Sequence, residues 1–129
     1  MRTGDDMLKV ENLKVKFDNT EVVRGVTFTL KHGEILSVLG ESGSGKSVTA
    51  MSIMKLYGEK QAHISADCIS LEDIDILSSS EADMQKIRGV QIAYIFQNPN
   101  DALSPNKTIR AQFKELFKVH SRTYNEQNI

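Results

Sequence analysis

One stretch constrains this chain more than any other: Gly40-Glu41-Ser42-Gly43-Ser44-Gly45-Lys46-Ser47. It matches the phosphate-binding loop pattern G-x-x-x-x-G-K-[ST] at every defined position. A loop that wraps a polyphosphate must bring several backbone N–H groups onto one anion, and glycines leave room for that approach. The amine of Lys46 is then expected to reach the terminal phosphates, and the hydroxyl of Ser47 to face a Mg²⁺ ion.

The flanks of this loop have the order that the motif requires. Residues 35–39, Ile-Leu-Ser-Val-Leu, form a short apolar run that is typical of a buried strand. Apolar residues at helical spacing predict a helix from Val48 to Tyr57, and Gly58 stands where a helix C-cap belongs. The alternative is a glycine- and serine-rich surface loop that contains Lys-Ser by chance, and such a loop would not need these flanks.

The bulk composition bounds the class of protein. A length of 129 residues suits one domain, and 40% hydrophobic with 26% charged residues is ordinary for a globular protein. The formal net charge of −1 argues against broad electrostatic binding of nucleic acid or of an anionic membrane. No apolar run approaches membrane-spanning length, so no direct membrane insertion is expected. Cys68 is the only cysteine, which excludes an internal disulfide.

An antiparallel pair of strands is predicted ahead of the loop. Alternating apolar residues mark residues 8–17, with a break in the spacing near Asn12, and they mark residues 22–30 again. Asp18-Asn19 is a turn signal between the two segments, and His32-Gly33 turns the chain toward the loop.

The signals weaken after Gly58. Residues 64–71 and 74–77 predict short extended pieces. Ser78 as N-cap with Glu81 at the third helical position fits a capping box. A helix to about Arg88 would follow, with Met84 and Ile87 turned inward. The acidic residues in this region are interpreted as a solvated surface rather than as a metal site.

A second buried strand is predicted over residues 90–96, Val-Gln-Ile-Ala-Tyr-Ile-Phe. Ligands of α/β proteins gather at the carboxyl ends of strands, so Gln97 is positioned either to meet a ligand or merely to begin a polar loop. Thr108 can cap a last helix, whose apolar stripe over residues 109–120 is core or partner surface.

These pieces together resemble the ATP-binding subunit of an ABC transporter. Four stretches carry the resemblance: residues 13–17, residues 26–34, the loop at 40–47, and residues 92–97. Three features are similar to the oligopeptide, dipeptide and nickel importer branch of this family. They are the residues of the loop, Arg88-Gly89, and the string Asn-Pro-Asn-Asp-Ala-Leu-Ser-Pro at 98–105.

The resemblance implies roles for particular residues. Gly40 to Ser47 would be the Walker A loop, and with Val48 it would bind the phosphates of ATP. Gln97 would be the Q-loop glutamine, which contacts Mg²⁺ and the region of the attacking water, so Lys46 and Gln97 are the expected catalytic residues. Phe17 falls where the family places its base-stacking aromatic, although a strand-end aromatic is more often core.

The resemblance also implies partners and an architecture. The partners would be the transmembrane subunits of an importer, docked on the residues after Gln97, and a second nucleotide-binding subunit. The fold class would be the N-terminal part of a P-loop ABC-type nucleotide-binding domain: an antiparallel β part over about 8–34, a strand and helix over 35–58, the Q-loop strand at 90–97, and the start of a helical region at 98–120.

The sequence departs from the family pattern after residue 97. It has no Leu-Ser-Gly-Gly-Gln segment, no Walker B carboxylates and no switch histidine, and His120 stands too early to be one. We therefore expect residues 1–129 to be a single, truncated domain. Its function is either that of an ABC-type ATPase driving import of peptides or a related small solute, or that of a nucleotide-binding or docking fragment without ATPase activity. A small-molecule kinase is disfavoured, because residues 96–99 have no reason to occur there.

Overall fold

The computed structural model describes residues 6–58 and 60–120. The chain divides after Lys86 into two compact units, each described here by itself. The elements, in chain order, are β1 (Asp6–Phe17), β2 (Thr20–Lys31), α1 (Lys46–Ile53), β3 (His63–Ser65), β4 (Cys68–Leu71), β5 (Ile74–Asp75), α2 (Glu81–Ile87), a 3-10 helix (Pro99–Ala102) and α3 (Ile109–His120).

The predicted antiparallel pair is confirmed, and so is its irregularity. β1 and β2 pair along their lengths and are joined by the two-residue turn Asp18-Asn19, with Asp18 at a φ of 49°. The register shifts between the pairs Val10↔Phe28 and Leu13↔Val26. Asn12 has a φ of 51° and donates its backbone N–H to Thr27 Oγ1 at 2.9 Å. The break in the apolar spacing near Asn12 is therefore a β-bulge.

The first unit is built on β1. β2 lies on one edge of this strand, and β3 and β4 share the other edge, giving the order β2-β1-β4-β5 with β3 beside β1. Val10, Leu13 and Val15 of β1 have no exposed surface, so the core lies on one face of this strand. The weak extended signals over 64–77 thus correspond to three short strands of the same sheet.

Helix α1 ends four residues earlier than predicted, and Gly58 is not its cap. Lys55 adopts the left-handed conformation with a φ of 49°, and its N–H donates to Ser52 O at 3.0 Å. Leu56 N–H donates to Met51 O at 3.0 Å, which completes a Schellman motif. The Lys55 ammonium donates to Leu77 O at 3.2 Å and Ser79 O at 2.9 Å. This tertiary anchor accounts for a lysine in a position where glycine is usual.

Helix α2 begins at a different cap from the one predicted. The Ser80 hydroxyl accepts from Asp83 N–H at 3.2 Å and donates to Asp83 Oδ2 at 2.6 Å, so Ser80 rather than Ser78 is the N-cap. The Ser78 hydroxyl instead donates to Asp75 O at 3.4 Å, in a turn where Asp75 Oδ1 also accepts from Leu77 N–H. Met84 and Ile87 are buried, as predicted.

The two predicted buried strands are wrong for the described residues. Residues 35–39 form no strand, and Ile35 and Leu39 are 95% and 91% exposed. Residues 90–96 contain only a single bridge, Arg88↔Ile92, and Ile95 is 93% exposed. A continuous apolar run signals burial only when neighbouring strands and crossover helices cover it, and all paired strands among the described residues are antiparallel.

The second unit confirms the predicted cap of the last helix. Thr108 Oγ1 accepts from Ala111 N–H at 3.2 Å, and α3 begins at the next residue. Ile109, Phe113 and Leu116 are 52%, 48% and 52% exposed, so this part of the apolar stripe is not closed core. Residues 121–129, at the end of the chain, lie outside the described residues. No helix in the described part of the chain is long and apolar enough to cross a membrane.

Candidate functional site

The loop at 40–47 makes tight turns that its glycines permit. Gly43 and Gly45 have φ values of 81° and 91°, in the left-handed region of the backbone that residues other than glycine rarely adopt. Ser44 N–H donates to Glu41 O at 3.2 Å, which closes the turn, and Thr49 N–H donates to Gly45 O at 2.8 Å. Gly45 is therefore the N-cap of α1, and the loop leads directly into the positive end of that helix.

The loop also lies against the start of β2. A Cβ atom on Gly45 would be 3.2 Å from both Val22 O and Val23 Cγ2, so a side chain there would push the helix from the strand. A cavity of about 510 Å³ borders the loop and is lined by Gly43, Ser44, Thr49 and residues of β2. Glycine at position 45 thus serves both the turn and the packing of α1 on the sheet.

Lys46 is held by oxygen atoms of the loop itself. Its ammonium donates to Gly40 O at 2.8 Å, to Glu41 O at 2.7 Å and to Ser44 Oγ at 3.4 Å. These three acceptors match the three donors of an ammonium group. An anion bound in the loop would therefore exchange with existing hydrogen bonds of Lys46 rather than meet a free cation.

The remaining predicted residues of the loop are accessible. Glu41, Ser42, Gly43 and Ser44 are exposed, Ser47 is exposed in the first turn of α1, and Val48 behind it is half-buried. Left-handed glycines, a helix N-terminus, an ammonium and an exposed hydroxyl are together a donor set that fits a polyphosphate with its Mg²⁺ ion. Among the described residues no cluster of three or more His, Cys, Asp or Glu side chains forms a separate metal site.

Phe17 closes β1 and packs on Tyr57, which follows α1. Their ring centroids are 5.1 Å apart and the ring planes are at 87°, an edge-to-face contact. Phe17 is half-buried. This contact is what the core interpretation of Phe17 expects, and the base-stacking role stays a prediction.

Gln97 belongs to the second unit, so its relation to the loop also stays a prediction. It is exposed and precedes Asn98, whose Oδ1 accepts from Asn100 N–H at 3.2 Å at the start of the 3-10 helix. The chain thus turns sharply immediately after Gln97, as the polar loop signal predicts.

A groove of about 440 Å³ lies in the second unit between α3 and the segment before it. The groove is lined by Ala102, Leu103, Ser104, Lys107, Gln112, Phe113, Glu115 and Leu116. Lys107 Nζ and Glu115 Oε2 form an ion pair at 2.6 Å, and the Lys107 hydrogen bond and charge lower the pKa of Glu115. The apolar floor with a charged rim is a candidate docking surface.

Sequence reasoning missed two residues that organise these sites. Lys55 anchors the end of α1, and Gln112 makes three hydrogen bonds to the segment before α3. Lys55 and Gln112 both bond to backbone atoms, and every residue type has a backbone carbonyl. The sequence therefore gives no sign of where these hydrogen bonds form. Residue type and spacing do not distinguish Gln112 from other polar residues of α3, such as Arg110 and Glu115.

Comparison with known proteins identifies the class. The family model described as "ABC transporter" matches residues 23–128. The chain therefore belongs to the ABC transporter family. The predicted fold class, the N-terminal part of a P-loop ABC-type nucleotide-binding domain, is confirmed by this match.

Individual relatives share the family at 37–39% identity. The chain is 37% identical to the glutathione import ATP-binding protein GsiA of Salmonella choleraesuis, over 95% of this chain and 21% of the relative. It is 39% identical to a probable peptide ABC transporter ATP-binding protein of Sinorhizobium fredii, over 92% of this chain and 37% of the relative. It is 37% identical to the oligopeptide transport ATP-binding protein OppD of Bacillus subtilis, over 93% of this chain and 35% of the relative. The chain thus spans about a fifth to just over a third of their lengths.

Proposed function

We propose that this chain binds ATP as part of an ABC transporter ATPase that energises import of peptides or a related small solute. The observation that carries the proposal is the loop at 40–47, where left-handed Gly43 and Gly45 lead into α1 beside the ammonium of Lys46. The names of the relatives, which include peptide and glutathione importers, support the solute class.

In this proposal each site residue has a distinct task. Backbone N–H groups of Gly40 to Val48 and the ammonium of Lys46 would hold the phosphates, and the hydroxyl of Ser47 would hold Mg²⁺. The family resemblance alone assigns Gln97 to the same ion. Phe17 contacts the base. When bound, Mg²⁺ would supply charge neutralisation on the phosphates, and the chain's own contribution would be to bind and orient the nucleotide.

The proposed partners follow from the second unit and from the family. The groove after Gln97 is the surface for the transmembrane subunits, and its exposed Phe113 and Leu116 support that role. A second nucleotide-binding subunit completes the ATPase, and the assembly lies on the cytoplasmic face of the membrane. The alternative is that the 129-residue chain alone binds nucleotide or docks but does not hydrolyse ATP.

Calorimetric titration with ATP tests the binding proposal. The chain is titrated with ATP in the presence of Mg²⁺ and then with excess chelator. We expect saturable binding that weakens without the cation, because Ser47 offers an exposed hydroxyl at the start of α1. No heat of binding under either condition would contradict the proposal.

A further inference from the structure

Gln112 connects α3 to the segment in front of it. Its Oε1 accepts from Ser104 N–H at 2.8 Å, and its Nε2 donates to Ser104 O at 3.2 Å and to Lys107 O at 3.0 Å. One side chain therefore satisfies both backbone groups of Ser104 and the carbonyl of Lys107. Its side chain is partly buried, which strengthens such contacts relative to fully exposed ones.

The segment that Gln112 holds is a compact turn. Lys107 N–H donates to Ser104 O at 3.3 Å, so residues 104–107 form a β-turn with Pro105 at its second position. Thr108 then caps α3, and the Lys107–Glu115 ion pair joins the end of the turn to the helix at 2.6 Å. We call residues 104–107 the groove turn.

The groove turn carries one wall of the groove. Leu103, directly before it, faces the cavity together with Phe113 and Leu116 of α3. All three residues are between 43% and 52% exposed, so close to half of each surface stays open to solvent. Apolar packing alone is a weak restraint on this wall, and the hydrogen bonds of Gln112 supply a directional one.

We propose that Gln112 is a positioning residue that fixes the groove turn and so keeps the docking groove open before a membrane subunit binds. This inference rests on the proposed docking function. A surface that is ordered before association loses less conformational entropy when its partner binds. Gln112, which itself lines the groove, would then act on docking through Leu103 and the groove turn.

Amide hydrogen exchange tests, without any partner, whether Gln112 holds the groove turn. Gln112→Met keeps the length and flexibility of the side chain but removes all three hydrogen bonds. We expect the Ser104 amide to exchange roughly five- to tenfold faster, the change that the loss of one net hydrogen bond supports. Gln112→Glu retains an acceptor for Ser104 N–H and loses the donors. The Ser104 amide of this variant should therefore exchange at a rate between those of the unaltered chain and Gln112→Met. Gln85→Met, at an exposed position of α2, is the matched control and should leave Ser104 exchange unchanged.

Unchanged Ser104 exchange in Gln112→Met would overturn the proposal. The exchange of Gln112 N–H, which donates to Thr108 O at 3.1 Å, shows in the same experiment whether α3 remains folded. Protection lost along the whole of α3 would also overturn it, because Gln112 would then stabilise the helix rather than position the turn.

Docking is measured on the transmembrane subunits of a peptide importer, held in phospholipid nanodiscs. Phe113→Ala removes a wall of the groove, so it should weaken binding while leaving Ser104 exchange intact. Gln112→Met should weaken binding several-fold, and Gln112→Glu should partly restore it. If Phe113→Ala weakens binding and Gln112→Met does not, the positioning role is wrong. If the unaltered chain does not bind, the docking function fails, and the role of Gln112 in docking fails with it.

Discussion

At the scale of single residues, Lys46 makes hydrogen bonds within the loop that a phosphate would have to replace. Its ammonium bonds to Gly40 O and Glu41 O at 2.8 and 2.7 Å, so the loop satisfies its own cation. A phosphate must offer more than these carbonyl oxygens do. It can, because a phosphate adds the attraction between two opposite charges to the hydrogen bond, whereas a carbonyl oxygen offers only a dipole.

Lys46→Ala is therefore expected to weaken Mg²⁺-ATP binding. Truncating one partner of a buried charge pair costs 2–5 kcal/mol or more, and for a half-buried Lys46 we expect about 2 kcal/mol. Calorimetric titration measures the change. Lys16→Ala, at an exposed position of β1, is the control and should bind as the unaltered chain does. Equal affinity of all three proteins for Mg²⁺-ATP would contradict the assignment of the loop at 40–47 as the phosphate-binding site.

Phe17 is the residue whose role the edge-to-face contact with Tyr57 makes testable. If Phe17 stacks on the base, Phe17→Ala should weaken ATP binding by about 1–3 kcal/mol, by analogy with other base–aromatic contacts. Binding of inorganic triphosphate, which has no base, should change much less. Tyr57→Ala removes the same ring contact from the other side and serves as the control. Equal losses for both ligands in Phe17→Ala would show that Phe17 is only core.

At the scale of elements, local signals predicted what local contacts decide. The bulge near Asn12, the turn at Asp18-Asn19 and the Thr108 cap depend on residues close in sequence, and all three are present. The end of α1 depends on the contact between Lys55 and the carbonyls of Leu77 and Ser79, more than twenty residues away. No periodicity within the helix carries that information.

The start of α2 shows the same limit at shorter range and gives a prediction. Ser78 and Ser80 both precede an acidic residue by three positions. The Ser78 hydroxyl already donates to Asp75 O, so it is not used to cap α2. Ser80→Ala should therefore lower the free energy of unfolding by about 1 kcal/mol, as is usual for an N-cap. Ser78→Ala is the matched control and should lower it less. Urea unfolding followed by circular dichroism compares the two, and a larger loss for Ser78→Ala would contradict the Ser80 cap.

The Ser80 cap should also depend on pH. The hydrogen bond from the Ser80 hydroxyl, followed by that from Lys86, lowers the pKa of Asp83. A carboxyl with a lowered folded-state pKa stabilises the fold above its unfolded pKa, and that contribution is lost as the pH falls through the folded-state value. The difference between Ser80→Ala and the unaltered chain should therefore narrow in acid. A difference that widens in acid would contradict this coupling.

At the scale of the whole molecule, the sheet of the first unit was predictable in part, while the placement of the apolar runs was not. Residues 35–39 and 90–96 read as buried strands, yet Ile35 and Ile95 are almost fully exposed. Their apolar composition indicates that both faces of each run need to be buried by other segments. The composition does not indicate which segments bury these faces, because the pairing partners of parallel strands are distant in sequence.

These exposed runs predict that the chain self-associates. Residues 35–39 carry no charge and no proline, and among the described residues they pair with no strand. Unpaired apolar segments of this kind invite association with further chains. We therefore expect the purified 129-residue chain to elute larger than a monomer. Ser37→Lys, which places a charge in the run, should shift the chain toward the monomer in light scattering.

The same sample should show no appreciable ATP hydrolysis. The sequence supplies Lys46, Ser47 and Gln97 but no Leu-Ser-Gly-Gly-Gln segment and no Walker B carboxylates, which the family uses to complete the site. Hydrolysis needs a positioned water and stabilisation of the developing charge, and a bound nucleotide alone provides neither. Phosphate release is measured beside Lys46→Ala, with light scattering on the same fractions. Turnover that is abolished by Lys46→Ala and that comes from a uniform monomer would show that these residues already hold a complete catalytic site.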